Sequence, residues 1–68
     1  MVAMTLEIQL GSKWRDRSAL GGPVVITVDG VDGNTVTGTS VPDAMPSVTA
    51  VWVGSVAQFD GFERLSPA

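Results

Sequence analysis

No stretch of 11 or more residues in this 68-residue chain spaces its apolar residues as a helix would. Instead, short segments rich in Val, Thr and Ile alternate apolar with polar residues, and clusters of Gly, Pro, Asp and Asn separate them. That pattern restricts the chain to an all-β fold. In TLEIQL (5–10), Leu6, Ile8 and Leu10 share one face and Thr5, Glu7 and Gln9 the other, which predicts a half-buried first strand. PVVITVDG (23–30) opens on a proline, allowed at a strand start, and puts Val24, Ile26 and Val28 on its core face. In VDGVDGNTVTG the turn is predicted within residues 31–34, where Gly33 tolerates the positive φ of a tight hairpin.

The returning strand, NTVTGTS, has Val36 as its only strong core residue, so it is expected to be thinly packed or at an edge. VPDAMPS holds two prolines and reads as a loop. VTAVWVGS sets Val48, Ala50 and Trp52 on one face and Thr49, Val51 and Val53 on the other, which predicts a strand covered on both sides. In SVAQFDGF, Val56 and Phe59 lie three apart, the spacing of one 3-10 turn that Asp60-Gly61 ends. FERLS then supplies a last alternating strand, with Phe59 and Phe62 expected to plug the core. Five short strands with a 3-10 turn before the last is the order of a small SH3-like barrel, a single domain over 1–68 with its core at about 5–65.

A domain this short buries only about 60% of the surface its unfolded chain exposes. With no Cys for a disulfide and no His for zinc, stability must come from packing or self-association. A hydrophobic fraction of 44% with a mean hydropathy of +0.29 hints at apolar surface covered by a partner or a second copy. No apolar run approaches the ~20 residues of a membrane span, and the N-terminal segment lacks the basic start of a signal peptide. The net charge of −3 repels a phosphate backbone, which argues against nucleic acid as a partner. Neither a membrane partner nor secretion is expected, and a cytoplasmic location fits best.

Several motifs together resemble small SH3-like barrel domains of actinobacteria and their phages, of the mycobacteriophage type. They are Trp14-Arg15-Asp16 opening the first loop, a glycine-led second strand, the Val-Asp-Gly hairpin, VGSVAQF (53–59) and FERL (62–65). Such relatives tend to carry arginine where this chain has Gln58, and another in the preceding strand near Thr49, so any basic surface made there is absent. The resemblance implies a phage or actinobacterial origin, a non-catalytic domain of adaptor size, and a place in the host cytoplasm or the virion.

Catalysis is disfavoured by the lack of Cys and His and of carboxylates spaced as an acid/base pair, and no cofactor motif is present. DGVDGN lacks the bidentate Glu of a calcium loop, so turn chemistry outweighs metal binding. The candidate contacts are therefore Trp14, Arg15, Asp16 and Arg17 in the predicted first loop, and Val51 and Val53 in the fourth strand. Trp14 has two readings, a groove-lining ligand contact or a plug at the barrel end. Arg15, Asp16 and Arg17 can equally form a self-neutralising solvated surface. Two functions follow: a module binding a host or phage protein through these residues, or a homo-oligomeric structural component pairing through its valines; nucleic-acid binding, supported only by the local basic cluster Lys13–Arg17, is a distant third.

Overall fold

The computed structural model describes residues 8–66. It contains five strands, β1 (Lys13–Asp16), β2 (Val24–Asp32), β3 (Thr35–Pro42), β4 (Ala50–Ser55) and β5 (Glu63–Ser66), with a 3-10 helix (Val56–Gly61) between β4 and β5. All pair antiparallel in one sheet of order β4-β3-β2-β1-β5. The all-β expectation and the 3-10 turn before the last strand hold. Barrel closure does not: β4 and β5 stand at opposite ends of the order and share no ladder, so the sheet stays open.

The first strand is displaced from its expected place. Residues 5–7 of TLEIQL lie outside the described residues; Ile8 and Gln9 are not in a strand, and Leu10-Gly11 form a turn. The strand is instead KWRD, expected to be a loop. Its alternation is carried by one apolar side chain: Trp14 points inward while Lys13 is exposed and Arg15 half-buried. A lone Trp among charges gives no visible period, yet its area is enough to anchor a four-residue strand.

The β2–β3 hairpin turns on Gly33-Asn34, since Asp32 pairs with Thr35. Gly33 has φ +60 and Asn34 has no positive φ, the glycine-first arrangement of a type II′ turn. The earlier Asp29-Gly30 makes a bulge, with the register shifting between Val28 and Gly30. β3 lies between β2 and β4, contrary to the edge placement. Its second inward position is Gly38, where a Cβ would fall on the Thr27 carbonyl oxygen. The small inward face is therefore imposed by close packing of the sheet, which composition alone reads as thin packing.

The core consists of Trp14, Ile26, Val28, Val36 and Phe59, with Ile8, Val24, Trp52, Val56 and Phe62 packed against it. All four aromatic residues of the chain join in it. Phe59, carried inward by the 3-10 helix, meets Trp14 and Trp52 edge-on at centroid distances of 5.2 and 5.4 Å and lies 4.9 Å from Phe62. Each such pair adds about 0.5–1.5 kcal/mol beyond the area it buries. The helix thus closes over the sheet what strand pairing leaves open.

Candidate functional site

β1 presents the first group of candidates. Trp14 is 1% exposed, so its ring is a core plug and offers no contact surface. Its indole Nε1 donates to Ser12 Oγ at 2.9 Å, and Ser12 Oγ donates to the Gln9 carbonyl at 2.6 Å, which satisfies the buried Ser12 hydroxyl. The Arg64 guanidinium covers the ring at 5.7 Å from its centroid.

Arg15 and Arg17 are engaged with carboxylates from elsewhere in the chain. Arg17 donates from Nη2 and Nε to Glu63 Oε1 at 2.7 and 3.1 Å. Arg15 Nε lies 3.2 Å from Asp43 Oδ2, an ion pair whose alignment does not make a hydrogen bond, and Nη1 is 3.8 Å from Glu63. Asp16, adjacent in sequence, is not their counter-ion; it accepts from the Ser18 N–H and hydroxyl at 2.9 Å, fixing the turn after β1. The charges of Arg15 and Arg17 are therefore met by Asp43 and Glu63, and not by Asp16 within a loop as expected. The Arg17–Glu63 pair is surface-exposed and contributes about 0–1 kcal/mol, whereas Arg15 is half-buried with its Nε out of solvent.

β4 presents the second group, and here the structure departs from the expectation of a strand covered on both sides. Val51 is 87% exposed and Val53 63% exposed, while Trp52 faces the aromatic cluster. β4 is also an end strand, so its backbone groups alternate between β3 and the open edge. Two bonds set the phase. The Val56 N–H donates to the Asn34 carbonyl at 2.9 Å, which makes Thr35–Ser55 a non-hydrogen-bonded pair. The Ser55 N–H accordingly turns away from β3 and donates to Gln58 Oε1 at 2.7 Å. Counting back, Ala50, Trp52 and Gly54 bond to β3, and Val51 and Val53 direct N–H and C=O outward. Val51 and Val53 thus combine outward backbone groups, unpaired among the described residues, with exposed valine side chains.

The sequence reading singles out Gln58 only as a departure from its relatives, and misses that Ser55 and Gln58 together bound that edge. Their signal was the Ser-x-x-Gln spacing of a capping box, in SVAQ. An arginine at 58 has only donors and could not accept the Ser55 N–H. At the other end, Pro46 stands in the loop before β4.

The two edges of the sheet differ. β5 is four residues long, carries Glu63 and Arg64, and pairs with β1 through a register shift. Charge, shortness and irregularity all discourage further pairing. β4 is regular through all six residues and uncharged, and no charged residue occurs from 44 to 59.

Among the described residues, no group of three or more Asp or Glu side chains converges as a metal would require, and no helix is long and apolar enough to cross a membrane. Fold and edge together define a small open-sheet all-β domain in which, among the described residues, the apolar end strand β4 has nothing paired along its outer edge. Compared with known proteins, the chain matches no family model, no curated protein and no solved structure.

Proposed function

We propose that the protein is a non-catalytic interaction module that takes up an extended segment of a partner polypeptide along β4. The observation that carries this reading is the coincidence, at Val51 and Val53, of outward backbone donors and acceptors with exposed apolar side chains. Strand addition uses both: main-chain bonds supply affinity, and alternate side chains supply selectivity. Trp14, Arg15, Asp16 and Arg17 serve the module as architecture, holding β1 and its turn in place.

Within this reading the fold is an SH3-like barrel left open between β4 and β5, supported by the strand order and the 3-10 turn before β5. The motif resemblance supports a phage-type protein acting on a host or phage protein, in the host cytoplasm or the virion. Nucleic acid has little support as a partner, since Arg15 and Arg17 are paired with Asp43 and Glu63, and Arg64 lies over Trp14.

The test is affinity capture from an actinobacterial lysate with wild type, a Val51→Lys/Val53→Lys variant and Arg17→Ala. A specific partner should be retained by wild type and Arg17→Ala and lost with the lysine variant. Equal capture by all three would remove β4 from the account. The homo-oligomeric reading is favoured by one further observation, the complete absence of charge along β4.

A further inference from the structure

The geometry points to a second copy of this chain as the occupant of the β4 edge, in an antiparallel β4–β4 pairing whose two-fold axis passes at Trp52. This rests on the strand-docking reading of β4 and names its partner.

The register follows from the hydrogen-bond phase. Only Val51 and Val53 within β4 direct unspent backbone groups outward, because Ser55 is already bonded to Gln58. With the axis at Trp52, Val51 faces Val53 of the second copy and Val53 faces its Val51, and both pairs are of the hydrogen-bonded kind. All four main-chain donors and acceptors at each side are then used. The same symmetry brings four exposed valine side chains together on one face of the joined sheet. Axes at Val51 or Val53 would complete only one such pair fully within β4.

Charge selects the same occupant. The chain carries −3 overall, yet residues 44–59 carry none, so two β4 strands meet without like charges at the contact. A strongly basic or acidic segment would find no counter-charge there. Pairing β4 with β5 of another copy would set charged, irregular β5 against an uncharged strand and would propagate without closing, whereas β4–β4 pairing closes after two copies. A six-residue edge buries less than the ~1,000 Å² of a durable interface, so the dimer is concentration-dependent.

The chain contains no Cys, which permits a direct test. Facing residues of a hydrogen-bonded antiparallel pair lie about 5.5 Å apart at Cα, within disulfide range, whereas residues two apart in one strand have side chains that do not converge. Mild oxidation of Val51→Cys/Val53→Cys should give a covalent dimer at least tenfold faster than Val51→Cys alone, which has no facing thiol. Sedimentation of wild type should show a dimer that strengthens with concentration and with added salt, because salt screens the net repulsion while the contact itself is uncharged. Val51→Lys/Val53→Lys should weaken it at least tenfold while keeping the wild-type near-ultraviolet spectrum.

A wild-type monomer at every concentration overturns the inference, and so does equal cross-linking by the single variant or a dimer unaffected by the lysines. If the protein is monomeric but the lysine variant loses a captured lysate protein, self-pairing fails and strand docking survives. If it is monomeric and capture is indifferent to the lysines, both fail.

Discussion

Replacing Trp14 with alanine separates architecture from binding at the residue where the sequence left both open. The ring is 1% exposed, packs edge-on to Phe59, lies under Arg64, and donates to buried Ser12. Truncating a buried Trp costs about 3–5 kcal/mol by lost transfer and cavity formation. The edge-on ring pair is part of that loss, and the Ser12 hydroxyl additionally loses a donor, about 1 kcal/mol. A domain of this length has about 3–10 kcal/mol in all, so Trp14→Ala is expected at or below the threshold of folding. Trp14→Phe keeps a ring against Phe59 and loses the Ser12 bond and some volume, and should cost about 1–2 kcal/mol. Urea unfolding followed by circular dichroism measures both, at fixed protein concentration because association adds apparent stability. If Trp14→Ala stays within about 1 kcal/mol of wild type, the plug assignment is wrong and the ring is free to serve a ligand.

Other substitutions probe separate parts of the structure. Gly38→Ala forces a Cβ onto the Thr27 carbonyl and should cost about 1–3 kcal/mol by overpacking; a change below 0.5 kcal/mol in urea titration would contradict that close approach. Gln58→Arg removes the acceptor of the Ser55 N–H, lowering stability by about 1 kcal/mol and increasing exchange at the Ser55 amide, and an unchanged exchange rate would refute the capping role. Leu20 is fully exposed, so Leu20→Ser should leave the melting midpoint unchanged, within about ±0.5 kcal/mol. Arg17→Ala breaks an exposed ion pair and should cost no more than about 1 kcal/mol, less at high salt.

Much of the fold is legible where the local pattern and tertiary context agree. β2 has three inward apolar residues in phase, Gly33 allows its turn, and the Val56–Phe59 spacing marks the 3-10 helix. The failures have physical causes. KWRD is a strand because one Trp finds Phe59 across the molecule, a contact distant in sequence. TLEIQL has the better alternation, yet the end of that segment leaves Leu10 exposed in a turn. NTVTGTS reads as weakly packed because Gly38 supplies no side chain, though it lies where two backbones approach closely. At the site, the apolar character of Val51 and Val53 is plain in the sequence, but their phase against β3 depends on pairing that a single strand does not encode.

The central claim is that Val51 and Val53 form an open edge that another strand completes. Amide hydrogen exchange, read residue by residue from micromolar to millimolar protein, tests it directly. Trp52 and Gly54, bonded to β3, should be protected throughout. Val51 and Val53 should exchange rapidly when dilute and become protected as concentration rises. Rapid exchange of Val51 and Val53 at every concentration would contradict self-pairing, and rapid exchange of Trp52 and Gly54 would contradict the β3–β4 phase on which the edge is built.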